Sequence, residues 1–180
     1  MHILLLNGSP RKGNTKLALE TIEKGLANHF TNATIEHIDV CQYQIGPCHG
    51  CDGCRRNDNT CVFSDDAISL TQKIYQADIL IFGSPVYWWG ITAQLKTLVD
   101  RMYAKGPLLA EQNKKIALIL VGEAKANDPQ YPLIGQQFQY ICDYLGWNFV
   151  YQKAISAALP NDLAKQSTVL EELSATYRMF

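Results

Sequence analysis

The chain has 180 residues, with 16 Lys and Arg against 17 Asp and Glu for a net charge of −1, so no excess of positive charge marks it for nucleic acid or an anionic membrane. That length suits one domain able to bury roughly 70% of the surface its unfolded chain exposes, with no metal or disulfide needed to hold it together. The N-terminal run Met1–Leu6 lacks a basic flank, and the longest apolar stretch, 79–91, is broken by Gly83, Ser84 and Pro85, short of the roughly 20 residues of a membrane helix. A soluble, cytoplasmic protein is expected. Its six cysteines would then sit in reducing surroundings, where clustered thiols point to metal or redox chemistry more often than to structural disulfides.

Ile3 to Leu6 is a continuous apolar run of the kind that forms a strand covered on both faces, and Leu17, Leu19, Ile22 and Leu26 follow at helical spacing across 15–26. Between them lies Gly8-Ser9-Pro10-Arg11-Lys12-Gly13-Asn14-Thr15. Both glycines and Thr15 stand where a Walker A loop needs them, but Asn14 replaces the lysine that reaches a β- or γ-phosphate. The dinucleotide pattern G-x-G-x-x-G fails as well, because no glycine sits two residues after Gly8. A monophosphate is the natural guest. Ser9, Asn14 and Thr15 offer side-chain donors and Arg11 a charged fork, while Gly13 and the first helical turn offer backbone N–H groups and the positive end of the helix dipole. Asn14 or Thr15 could instead merely cap the helix and the glycines merely turn the chain, but a bare cap does not require the basic pair Arg11-Lys12.

Thr34 to Val40 reads as a second strand, and after a cysteine-bearing loop Asp65 caps a helix running to Ala77 with Ile68, Ile74 and Tyr75 inward. Ile79 to Phe82 is the third strand, and Leu95, Leu98, Val99 and Met102 mark one face of the next helix. Ile116–Val121, Ile134–Leu145, Trp147–Lys153 and Leu163–Tyr177 complete the alternation as strand, helix, strand and helix. Strands joined through helical crossovers run parallel, so the expected fold is α/β, one domain over residues 1–180, with five parallel strands and helices on both faces. Ligands of such sheets sit beyond the carboxyl ends of the strands where the strand order reverses. The loop after the third strand, 83–92, carries Pro85, Val86, Tyr87, Trp88 and Trp89, and large aromatics beside a phosphate site suggest a flat ring system. They could equally be core or interface aromatics, Trp89 above all.

On these motifs the sequence resembles the flavodoxin-like NADPH-dependent FMN reductases, including their iron-sulfur flavoprotein branch. The resemblance rests on Asn7 through Thr15, Pro47-Cys48-x-x-Cys51-x-x-Cys54, Asp65-Asp66, Gly83 through Trp88, Leu95-Lys96 and Asp100-Arg101. It implies a flavodoxin-like three-layer sandwich with strand order 2-1-3-4-5. It also implies bound FMN, with the phosphate on Ser9, Arg11, Asn14 and Thr15, the isoalloxazine ring against Pro85–Trp88, and Gly122 as a third contact. NADPH or NADH would be the donor, a quinone, flavin, azo or nitro compound or metal ion the acceptor, and a homodimer or homotetramer the assembly. Asp100 and Arg101 look structural, as a charge pair at a helix end. The rival readings are a flavodoxin-type electron carrier serving protein partners, against which the near-neutral charge counts, and an iron-sulfur flavoprotein passing electrons between cluster and flavin.

Cys48, Cys51, Cys54 and Cys61 supply the four thiolates that a [4Fe-4S] cluster requires. Free thiols remain open at the same positions, since similar chains carry such cysteines without a cluster. Zinc suits the spacing less well, because structural sites pair two C-x2-C units across a longer segment. Cys41 and Cys142 are isolated and expected to be buried, and His49 is expected as an exposed loop residue.

Overall fold

The structure, a computed structural model, describes residues 1–180. Five strands, β1 (His2–Asn7), β2 (Thr34–Asp39), β3 (Ile79–Pro85), β4 (Lys115–Gly122) and β5 (Asn148–Ser156), form one sheet in the order β2-β1-β3-β4-β5. Every pairing is parallel, as helical crossovers demand. Six α-helices connect or flank them: α1 (Asn14–His29), α2 (Ala67–Gln76), α3 (Ala93–Arg101), the single turn α4 (Gly106–Leu109), α5 (Gln130–Leu145) and α6 (Ser167–Ser174). The order and layering are those of a flavodoxin-like sandwich, as the resemblance implied. No helix is long and apolar enough to cross a membrane.

Side chains of a strand alternate between faces, and the sheet divides its apolar residues accordingly. Leu4, Leu6, Leu80, Phe82, Leu118 and Leu120 pack with Leu70 and Ile74 of α2, Leu95 and Leu98 of α3, and Ile134 and Phe138 of α5. Ile3, Leu5, Ile79, Ile81, Ile119 and Val121 pack on the other face with Leu19, Ile22 and Leu26 of α1 and Leu173 of α6. Because both faces are covered, β1, β3 and β4 read as unbroken apolar runs. Edge strand β2 is only half-buried.

Several details differ from the expectations drawn from sequence. Strand five begins at Asn148, not Trp147: the Trp147 ring is buried and its Nε1 donates to Leu109 O at 2.9 Å, a partner from a distant turn. The last helix is broken into a 3-10 turn over Leu163–Lys165, then α6, then a 3-10 turn over Ala175–Met179. In α2 the inward residues are Ala67, Leu70, Thr71 and Ile74, while Ile68 and Tyr75 are half-buried. Cys41 is half-buried where Cys142 is fully buried, and burial pushes the Cys142 thiol up to about 12.

Candidate functional site

Strand β1 ends at Asn7, whose Oδ1 accepts from the Ser9 backbone N–H at 3.0 Å and whose Nδ2 donates to Asp39 at 2.8 Å. This bend delivers residues 8–13 to the carboxyl edge of the sheet. Ser9 Oγ donates to Arg11 O at 2.9 Å and accepts from Arg11 N at 3.2 Å, which tightens the loop. Helix α1 starts after Gly13 with no side-chain cap and no acidic residue in its first turn, and its first internal bond is Leu17 N to Gly13 O at 3.0 Å. The N–H groups of its first turn therefore lack intrahelical partners and face outward with the positive end of the dipole. A methyl on Gly13 would meet nothing within 4 Å, so an anion can approach this backbone closely.

The same edge carries the loop after β3. Tyr87 and Gly90 exchange two backbone hydrogen bonds, both 3.0 Å, closing a two-residue hairpin with Trp88 and Trp89 at its tip. Both tryptophans have positive φ, 47° and 59°, the geometry of a type I′ turn that an asparagine-glycine pair adopts without strain and bulky residues do not. The strain holds a large aromatic surface outward, since Trp88 is 91% and Trp89 58% exposed. Replacing the pair by asparagine and glycine, W88N/W89G, is expected to raise stability by about 1 kcal/mol in urea unfolding. Such a gain would mean that the tryptophans are kept for something other than folding.

A cavity of about 630 Å³ joins these loops. Its lining includes all ten residues singled out for phosphate and ring: Ser9, Arg11, Gly13, Asn14, Thr15, Pro85, Val86, Tyr87, Trp88 and Gly122. They are not equally free. Thr15 is buried at the start of α1 outside the hydrogen bonds that engage Ser9, whereas Asn14 spends both side-chain polar atoms on the chain, donating to Leu159 O and accepting from Leu163 N. Sequence reasoning missed Glu123, Asp128 and the stretch Ala157–Pro160, which line the same cavity.

A larger cavity of about 760 Å³ lies on the flank between α3, α4 and α5, lined by Val99, Met102, Leu133, Tyr140, Ile141 and Tyr144 among others. It holds none of the loop residues at the sheet's carboxyl edge, and the only helix start in its lining is Gly106-Pro107, which opens the single turn α4. The smaller cavity is therefore the candidate site.

Cys48, Cys51, Cys54 and Cys61 also come together, around a third space of only about 20 Å³ shared with Arg101 and Tyr103. All six cysteines are free, and no three Cys, His, Asp or Glu side chains form a group that could hold a metal ion. As placed, these residues do not fit an iron-sulfur cluster or a zinc ion. His49 lies against Phe63, ring centroids 4.6 Å apart.

Arg101 and Asp100 do not pair with each other. Arg101, 3% exposed, makes a two-pronged bridge to Asp65 at 2.6 and 2.9 Å and donates to Gly46 O at 2.7 Å, while Asp100 pairs with Lys96 at 2.6 Å. Burial alone would raise the Asp65 carboxyl. Its hydrogen bonds from Arg101 and from the Gly46 and Ala67 N–H groups outweigh that and hold it below the ordinary value of 3.8. The N-cap of α2 is Asp66, not Asp65 as the sequence suggested; Asp65, one residue earlier, accepts from Ala67 N at 3.0 Å and anchors Arg101 as well.

Fold and site together define a flavodoxin-like protein with an uncapped helix start and an aromatic hairpin at one sheet edge. Comparison with known proteins specifies it further: residues 1–133 match the NADPH-dependent FMN reductase family model, and the chain belongs to that family. An iron-sulfur flavoprotein of Archaeoglobus fulgidus is 37% identical over 101 residues, 56% of this chain and 48% of that protein. A Bacillus subtilis protein named for NAD(P)H-dependent FMN-containing oxidoreductase activity is 28% identical over 186 residues, 97% of this chain and 95% of that one. This chain's match spans about half the length of the first iron-sulfur flavoproteins it resembles. Among solved structures, an azoreductase of Bacillus anthracis superposes over 100% of both chains with a TM-score of 0.77 at 15% identity. An NAD(P)H:quinone oxidoreductase of Methanothermobacter marburgensis gives 0.71 at 18% identity over 99% and 96% of the two chains. At such identities the superpositions establish the fold alone.

Proposed function

We propose that the chain is an FMN-dependent oxidoreductase that draws electrons from NADPH or NADH and passes them to a small organic acceptor. The observation that carries this reading is the single cavity in which an uncapped helix start, a basic loop and an aromatic hairpin meet. FMN, when bound, supplies the two-electron chemistry, accepting hydride from a nicotinamide and releasing it to an acceptor. The chain's own work is binding and exclusion. Thr15, Arg11 and the N–H groups of α1 suit a dianionic phosphate, and Pro85, Val86 and Tyr87 offer an apolar edge for a flat ring and keep water from it. One cavity must serve donor and acceptor, so they enter in turn and the kinetics are ping-pong. For a quinone the balance is NAD(P)H + H⁺ + quinone giving NAD(P)⁺ + hydroquinone. Assembly as a homodimer or homotetramer belongs to the reading, and the apolar flank beside α5, with Tyr140 64% and Tyr144 83% exposed, is compatible with it.

The test is reconstitution with FMN followed by steady-state assay with NADH and NADPH in parallel over a panel of acceptors. Flavin bands after desalting and parallel-line kinetics are expected, and R11A should weaken FMN binding about tenfold, the loss of one exposed charge-assisted contact. Failure to retain any flavin would sink the reading. Retained flavin without turnover from either nicotinamide would favour a carrier serving protein partners.

A further inference from the structure

The segment 48–61 has no part in the candidate cavity and brings no large apolar side chain to the core; Gly53 and Cys54 are its only buried residues. Its backbone is nevertheless an unusual one. Gly50, Asp52, Asp58 and Asn59 all have positive φ, between 48° and 63°. Aspartate and asparagine tolerate that region better than other residues, but so dense a run of it is not a shape the chain favours unaided.

What the coil gathers is sulfur. Cys48, Cys51, Cys54 and Cys61 surround a space of about 20 Å³, room for about one water molecule. Within the four, Cys51 and Cys54 form a pair of unequal members. They stand in C-x2-C spacing across the left-handed Asp52 and the start of the 3-10 turn Gly53–Arg56. Cys51 is exposed, whereas Cys54 is buried at 7%. A methyl placed on Gly53 would stand 3.5 Å from Cys51 Sγ, so that sulfur lies over the turn joining the pair. An accessible thiol that reacts first, with a sheltered one three residues on to resolve the product, is what thiol–disulfide exchange requires. Cys48 and Cys51 have the same spacing, but both are exposed and that pair lacks a sheltered member.

We propose that Cys51 and Cys54 form a dithiol–disulfide couple that reacts with small disulfides of the glutathione class, RSSR. The Cys51 thiolate attacks one sulfur of RSSR, whose S–S bond breaks as RS⁻ leaves, and a mixed disulfide remains on Cys51. The Cys54 thiolate then attacks the Cys51 sulfur, and the second RS⁻ leaves. The protons given up by Cys51 and Cys54 end on the two leaving thiolates. Two thiols are oxidised and one disulfide is reduced: protein(SH)₂ + RSSR gives protein(S–S) + 2 RSH. The couple is independent of the flavin reading, since the two spaces share no residue.

The experiment exposes the reduced full chain to oxidised glutathione and reads the product by differential alkylation and mass spectrometry. Cys51 and Cys54 should be withdrawn from alkylation together, with loss of two hydrogens, recovery under dithiothreitol, and Cys41 and Cys142 unchanged. C54S lacks the resolving thiol and should accumulate with one glutathione on Cys51. C51S should slow oxidation at least about tenfold, whereas C48S and C61S should stay within about twofold of the parent. Urea unfolding checks the fold of C54S, and C51S reads the same chemistry at an exposed position. Oxidation of C51S at the parental rate, a disulfide between any other pair, or folded C54S without trapped glutathione would overturn the proposal. So would anaerobic loading with ferrous iron and sulfide that retains about four irons per chain and protects all four cysteines, because the thiols would then be cluster ligands.

Discussion

R101L is expected to destabilise the protein by about 3 kcal/mol at neutral pH, the lower end of what removal of one partner from a buried ion pair costs. Arg101 is 3% exposed and its partner Asp65 about 18% exposed, so leucine leaves a largely buried carboxylate facing an apolar side chain. It also releases Gly46 O, one of the few ties between the cysteine-bearing segment and the body of the fold. Others include Gly46 N to Asp65 at 2.9 Å, Gln44 N to Asp66 at 2.7 Å, Arg55 to Tyr103 O at 2.9 Å and Tyr103 OH to Asp52 at 2.7 Å. The pH dependence has a definite sign. Because the Asp65 carboxyl lies below its ordinary 3.8 in the folded protein, its contribution is fully present above that value and is lost as pH falls through the lower folded value. The deficit of R101L should therefore be largest at about pH 5–8 and shrink below about pH 4. Urea unfolding at pH 7 and pH 3 measures this directly, and an equal deficit at both would show that packing, not charge, dominates. Labelling of Cys54, 7% exposed, by a thiol reagent should also accelerate in the variant.

What is legible in the sequence is what is local. The turn from β1 into α1, the aromatic hairpin and the strand pattern each depend on residues within a dozen positions, and the ten residues chosen for phosphate and ring line one cavity. What escapes depends on partners far along the chain. Asp100 and Arg101 adjoin in sequence, yet helix geometry sends neighbouring side chains about 100° apart, one to Lys96 in solvent and the other inward to Asp65. The cysteine spacing is compatible with a cluster, but the four cysteines share their small space with Arg101 and Tyr103, which enter from the end of α3 and the turn after it. Ala157–Pro160 carries no chemical signal at all; it becomes part of the site because β5 ends beside β4 and Asn14 tethers the chain beyond that strand. The sequence shows that Asn14 is not a lysine, and it cannot show where the amide is spent, since its two contacts lie 145 and 149 residues away.

The two loop glycines allow packing to be separated from binding, and the larger effect is expected at Gly8. A methyl there would stand 2.7 Å from Leu95 Cβ and 2.9 Å from Thr92 Oγ1, well inside contact distance. Neither neighbour can yield: both are 0% exposed, and Thr92 Oγ1 donates to Gly8 O at 2.7 Å while capping α3 through Leu95 N. Gly8 N in turn donates to Gly83 O at 2.8 Å, so the phosphate loop, β3 and the start of α3 are pinned at one point. G8A should cost on the order of 3 kcal/mol in urea unfolding, the upper range for overpacking a site without slack. It should also weaken FMN binding more than tenfold, because the loop must shift to relieve the clash. Gly13 has an extended backbone, φ −135°, and open space where its Cβ would be. G13A should therefore fold as well as the parent or gain up to about 0.5 kcal/mol through the unfolded state. Yet its methyl would project where an anion must approach the helix N–H groups, and FMN affinity should fall by about tenfold. If G13A binds FMN as the parent does, the phosphate lies elsewhere. If G8A folds normally, the close approach of the phosphate loop to α3 is not what holds this edge of the sheet together.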